Sequence, residues 1–158
     1  MKKIIIGIAI AIAIAYPKIG RDQEMKWEPV QQIQKPVEET LAEKIEKYLA
    51  EKKSPLAEYS EALAGQKHWR LIIAISHIES GWCKKGTAHN CWGIKGSSGY
   101  RKYAGYEEAI TDANRVIEKQ QERGRWLTVD DMNGSYNQPG SPNWAKVVKG
   151  TIRELETI

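Results

Sequence analysis

Glu79 is the residue in this chain whose setting most invites chemistry. It closes the run WRLIIAISHIESG, Trp69 to Gly81, which is otherwise almost wholly apolar. On a helical period it falls beneath Ile75, Ile72 and Leu71, four, seven and eight positions back, so the spacing places it on the apolar stripe. Desolvation disfavours the charged form of a carboxyl, and a carboxylic acid kept protonated near neutral pH is what a general acid requires. Ser80 and Gly81 stop the helix and leave Glu79 at its open end. The alternative for a Glu near a helix end is a solvated residue or one half of a surface ion pair.

The next stretch is rich in aromatic residues and poor in acids. Trp82, Trp92, Tyr100 and Tyr103 fall within it, and from Ser80 to Tyr106 there is no Asp or Glu. Flat rings pack well on the apolar faces of sugars; they also build the core of a lobe too small to have another. Glu107, Glu108, Asp130 and Asp131 fall at helix starts, where acids are expected for dipole and capping reasons. Cys83 and Cys91 flank one short loop. In an exported chain the default reading is a disulfide; a reducing compartment would leave free thiols. A metal site from Cys83, His89, Cys91 and His77 is the third reading, but Cys-x5-His-x-Cys matches no common zinc pattern.

These residues need a scaffold to position them. Val37, Leu41, Ile45, Tyr48 and Leu49 share one helical face. Ser54-Pro55 is an N-cap followed by Pro at the first helical position, and Leu56, Tyr59 and Leu63 continue as a short amphipathic helix ended by Gly65. The apolar helix to Glu79 comes next. Trp92 to Lys95 and Tyr100 to Tyr103 flank Gly96-Ser-Ser-Gly99 as a hairpin with a four-residue turn. Tyr106, Ile110, Ala113, Ile117 and Gln120 resume a helix closed by Gly124. Thr128 to Asp131 has capping-box spacing. Ser141-Pro142 opens a last helix with Trp144, Val147, Val148, Ile152 and Leu155 inward. An acid at a helix end followed at once by a hairpin lobe makes a two-walled cleft with the acid at its base.

The chain has 158 residues, 41% of them hydrophobic, with six Trp and no Phe. That length suits one folded domain. A net charge of +4 permits attraction to an acidic polymer. No helix-turn-helix, zinc-finger or RNA-binding signature is present, which argues against nucleic acid as a partner. Lys84, Lys85, Lys95, Arg101 and Lys102 surround the expected cleft, either to attract an acidic ligand or simply as solvated charge. At the N-terminus, Lys2 and Lys3 precede a 12-residue apolar run, Ile4 to Ala15, with small residues at Ala13 and Ala15. That is the pattern of an export signal cleaved after Ala15, and the run is short for a permanent span. Tyr16 to Pro36 is polar, carries three Pro and has no clean period, which reads as a linker.

The segment IESGWCKKGTAHNCWGIKG, residues 78–96, resembles the motif of bacterial peptidoglycan glucosaminidases, in which E-S-G-W-G is followed by N-x-F/W-G-I-K-G and an aromatic hairpin. RKYAGYEEAITDANRVI continues that likeness through the next helix. GSYNQPGSPNWAKVV is similar to the A-Y-N-A-G-P-G…W segment of soluble lytic transglycosylases. Both families belong to the lysozyme-like superfamily, and the likeness runs from about Ser54 to Leu155, about two thirds of the chain. It implies an α+β, mainly α, fold: a lysozyme-like helical domain over 37–158 with a small β-hairpin lobe after the helix that carries the catalytic Glu.

The resemblance also implies cleavage of β-1,4 glycosidic bonds in peptidoglycan strands by an exported, monomeric enzyme that needs no cofactor and meets the membrane only through its N-terminal signal. Glu79 matches the catalytic acid, and Tyr136 the tyrosine that faces the reacting sugar and helps place the acid. Ser80 matches the turn behind the acid. Asn90, Trp92, Gly93 and Ile94 match the cleft-lining segment, Tyr100 and Tyr103 the aromatic hairpin, and Asn137 the tyrosine segment. His77 has no counterpart and points away from Glu79. Ordinary glycosidases use two carboxylates, about 5 Å apart for retention and about 6.5–9.5 Å apart for inversion. With one acid and assistance from the sugar's N-acetyl group, three outcomes stay open: transglycosylation to a 1,6-anhydro end, muramidase hydrolysis, or endo-β-N-acetylglucosaminidase hydrolysis. A non-catalytic peptidoglycan-binding module is the alternative of another class.

Overall fold

A computed structural model describes residues 38–137 and 139–158. Contacts divide the chain into Met1–Pro36 and Val37–Ile158, and all the described residues belong to the second unit. The expected signal segment, 1–15, and linker, 16–36, lie outside the described residues.

The second unit is mainly helical with one small antiparallel sheet. Helix α1, Leu41–Glu51, opens on a capping box: the Thr40 hydroxyl accepts from Glu43 N–H, and the Glu43 carboxylate accepts from Thr40 N–H at 2.7 Å. Its buried face is Ala42, Ile45, Tyr48 and Leu49. Leu41 lies outside that face at 37% exposure, and Ala42 takes the inward place in the first turn. The next amphipathic stretch is two elements. Pro55–Tyr59 is a 3₁₀ turn capped by Ser54, and α2, Ser60–Ala64, follows it. The inward residues are Leu56 and Leu63, while Tyr59 is only half-buried.

Helix α3, Trp69–Ser80, is the central element, with Ile72, Ile73, Ala74 and Ile75 all buried. Most of its circumference is covered by neighbours, with Arg70 and Glu79 left exposed. It packs most extensively on α6, Pro142–Leu155, and also meets α4, Tyr106–Gln121. Burying one Ile contributes about 1.5–3 kcal/mol, so each of these isoleucines is a substantial part of the core. The short α5, Val129–Met132, carries the capping box that its spacing predicts: Thr128 N–H donates to Asp131 at 2.8 Å and Asp131 N–H to the Thr128 hydroxyl at 3.1 Å.

The hairpin is smaller than the expected one. Strands β1, Lys95–Gly96, and β2, Gly99–Tyr100, pair Lys95 with Tyr100 and Gly96 with Gly99. Gly96 and Gly99 therefore belong to the ladder, and the turn is the two residues Ser97 and Ser98. The ladder stops at Lys95 because Trp92 and Ile94 turn into the core instead of alternating across a sheet. The Asn90 side chain replaces the missing pairs. Its amide nitrogen donates to Ile94 C=O at 2.8 Å and Arg101 C=O at 3.0 Å, and its oxygen accepts from Ile94 N–H at 3.0 Å.

Candidate functional site

The end of α3 is set by its sequence. Gly81 adopts the left-handed conformation at φ +59° and lets the chain reverse: Gly81 N–H donates to His77 C=O and Trp82 N–H to Ser76 C=O, each at 3.0 Å. Trp82 and Cys83 follow at φ +65° and +66°, conformations that cost a non-glycine residue about 1–2 kcal/mol each. Several bonds hold this strained turn. The Ser80 hydroxyl shares its proton between Ser76 C=O at 3.0 Å and Cys91 C=O at 2.8 Å, and accepts from Cys83 N–H at 3.1 Å. Ser54 donates to Trp82 C=O at 2.8 Å. Cys83 and Cys91 form a disulfide, their Cα atoms 4.8 Å apart. Thiolate ligation by this pair is thereby excluded.

Glu79 sits on the last turn of α3, immediately before this device. Its carboxylate accepts from the Trp144 indole N–H at 2.7 Å through Oε1. The other oxygen, Oε2, lies 3.8 Å from where a Cβ on Gly93 would stand, and the Tyr100 ring 3.9 Å from the same point. Gly93, at φ +65°, thus leaves open the space in front of Oε2. Glu79 is exposed, which overturns the expectation of a desolvated acid on the apolar stripe. Helical period fixes the direction in which a residue points, not how far the packed core extends along the axis. The neighbouring Ser80 is buried and Ile78 half-buried, but no described residue covers the Glu79 side of the last turn, and the carboxylate emerges there.

It emerges into a groove of about 630 Å³. The groove is bordered by Glu79, Gly93, Tyr100, Trp126, Tyr136 and Asn137, among others. Glu79 is its one carboxylate among the described residues. Glu107, Glu108 and Asp112 border a separate depression of about 610 Å³, where Asp112 pairs with Arg101 and Arg115.

Of the residues singled out in the sequence, Gly93, Tyr100, Tyr136 and Asn137 join Glu79 in this groove. Trp92 and Ile94 border it too, but their side chains are buried in the core, where the Trp92 indole donates to Ile72 C=O at 2.8 Å. Ser80, Asn90 and Tyr103 do not line it. All three are buried and their polar groups are engaged internally, Tyr103 through a 2.7 Å bond from its hydroxyl to Asp112. They shape the groove without facing it. Trp82 is likewise core, stacked on His77 with ring centroids 4.0 Å apart. Tyr100 is the aromatic of the lobe left exposed, at 66%.

Tyr136 borders the groove with Glu79, while its hydroxyl is engaged with the backbone. Its hydroxyl donates to Trp92 C=O, so it ties the α5–α6 connection to the groove-lining segment. Burial pushes its phenol well above the ordinary tyrosine value, and the negative charge of Glu79 pushes it further. A neutral hydroxyl already committed to a backbone carbonyl positions its surroundings and is a poor proton donor to a ligand. Its ring packs edge-on against Trp126 at 5.2 Å and tilted against Trp144 at 5.7 Å. Trp126, Tyr136 and Trp144 therefore form a row that leads to the Glu79 carboxylate. Sequence reasoning gives Trp144 only a core role and passes over Trp126. Their signal is two indole N–H groups that need partners when buried; Trp126 finds the Ser135 hydroxyl at 2.8 Å.

No family model, curated protein or solved structure matches this chain.

Proposed function

We propose that this chain cleaves β-1,4 glycosidic bonds in peptidoglycan strands, with Glu79 as its catalytic carboxyl. One observation carries the reading. A groove large enough for sugar rings holds a lone carboxylate, gripped through Oε1 by the Trp144 indole and open at Oε2. The motif likeness around Glu79 and Tyr136 supports the same assignment.

In this mechanism the protonated Glu79 gives its proton from Oε2 to the leaving glycosidic oxygen, and the C1–O bond breaks. The 2-acetamido oxygen of the ring that keeps C1 attacks that carbon and holds the positive centre, so no second protein carboxylate is needed. Glu79, now a base, takes a proton either from the sugar's C6 hydroxyl, which closes on C1 as a 1,6-anhydro end, or from a water that attacks C1.

The test is Glu79→Gln with purified strands. The variant should fold as the parent does and lose wall-clearing activity by at least about 10²-fold, the lower end of a general acid's contribution. Undiminished clearing by that variant would refute the assignment, and clearing by neither protein would favour a binding module. Product mass separates the branches, since an anhydro end lacks one water relative to a hydrolysed one.

A further inference from the structure

The groove is bordered by several cations, and nothing in the proposed bond cleavage uses them. Helix α4 and the residues just after it present Arg115, Lys119 and Arg123 at intervals of four residues, and all three border the groove. At a rise of about 1.5 Å per residue Arg115 and Lys119 stand about 6 Å apart along α4, and Arg123 follows in the turn after the C-cap Glu122. Lys95 and Arg101 of the lobe border the same space, so five cations face one carboxylate. Arg101 and Arg115 are paired with Asp112, and Lys95 lies over the Tyr100 ring. Lys119 and Arg123 have no carboxylate within ion-pair distance among the described residues.

We infer that this α4 stripe is a subsite for carboxylate groups carried on the side of a neutral sugar strand: the peptide substituents of peptidoglycan. The inference rests on the proposed function and deepens it. One feature selects this ligand over a continuous polyanion such as a nucleic acid. The groove holds the Glu79 carboxylate, with Tyr136, Trp126 and Asn137, as well as the cations of α4 and of the lobe. A phosphate backbone laid through it would bring charge against Glu79. A strand with neutral rings and acidic branches puts the rings at Glu79 and the branches on Lys119 and Arg123. The cations also suit the C-terminal half of a helix on dipole grounds alone, so the test must separate binding from stability.

The experiment compares binding and cleavage of two fluorescently labelled strands, one bearing its peptides and one stripped of them by an amidase, by the full chain and by the double variant Lys119→Gln/Arg123→Gln. Thermal unfolding verifies that the variant is folded; if it is not, the single Lys119→Gln and Arg123→Gln chains replace it. The expected result is that the parent binds peptide-bearing strands about tenfold more tightly than stripped ones, that this preference shrinks as salt rises, and that the variant loses the preference while binding stripped strands as the parent does. Equal affinity of the parent for both strands, equal loss by the variant on both, or absence of binding to either overturns the inference. Competition by a single-stranded oligonucleotide at the affinity of the peptide-bearing strand also overturns it, in favour of a general polyanion site. Cleavage is read separately. A peptide-dependent preference without bond cleavage keeps the subsite and removes the catalytic assignment, whereas cleavage without preference does the reverse.

Discussion

A single indole N–H distinguishes the two oxygens of Glu79. Indole nitrogen only donates, so it holds Oε1 as an acceptor and leaves Oε2 outside that bond; on the proposed function, Oε2 is the oxygen that faces the sugar. Hydrogen bonds to a charged group contribute about 1.5–3 kcal/mol, and this one also restricts the rotation of an otherwise exposed side chain. Trp144→Phe keeps most of the buried ring and removes the donor. On the proposed function, kcat on peptidoglycan strands should fall about 10- to 100-fold with KM little changed, while the unfolding midpoint drops modestly. A loss confined to stability, with kcat intact in the folded fraction, would make Trp144 merely a core residue. Tyr136 belongs to the same row, but its hydroxyl is engaged with Trp92, so its role is to hold the groove segment in place.

At the scale of elements, the segment from Gly81 to Cys91 does the positioning. It contains four non-glycine residues at positive φ, Trp82, Cys83, Ala88 and His89, and is fastened by the Ser80 hydroxyl, the Asn90 amide and the Cys83–Cys91 bridge. A segment this strained keeps its shape only while its fastenings hold. Replacing both cysteines by serine should lower stability by about 2–3 kcal/mol on the loop-closure model. Amide hydrogen exchange should show the 81–91 loop opening before α3 and α6 do. Uniform exchange protection in that variant would mean the hydrogen bonds alone suffice. Helix α3 is legible in the sequence because its apolar run, its length and the Gly81 stop all agree. The hairpin is legible in place but not in extent. Trp92 and Ile94 look like strand residues by type, and only the core they plug decides that they leave the ladder.

At the scale of the molecule, Asp112 joins α4 to the lobe. Burial opposes its ionisation, but hydrogen bonds from Tyr103, Arg115 and Arg101 outweigh that and hold the carboxyl below its ordinary value. A folded-state value below the unfolded one, about 3.9, means that ionised Asp112 stabilises the fold fully above that pH and loses its effect as pH falls through the folded value. The unfolding midpoint should therefore decline as the solution is taken below about pH 4, and Asp112→Asn should lower the midpoint at neutral pH while flattening that decline. Parallel pH profiles for the two proteins would show that Asp112 is not the group responsible.

The sequence by itself settled the mainly helical plan, the place of the hairpin, the capping box at Thr128, and the pairing of two cysteines around one loop as its default reading. These follow from period, turn chemistry and spacing, which are properties of neighbours along the chain. Only the tertiary structure decided that Glu79 stands in solvent and not in grease, that Ser80, Asn90 and Tyr103 are fastenings behind the groove, and that Trp144, 65 positions away, grips the carboxylate. Those outcomes depend on where the α3–α6 contact ends and on which buried donors meet which acceptors. Both are set by packing between distant segments, and local spacing carries no record of them.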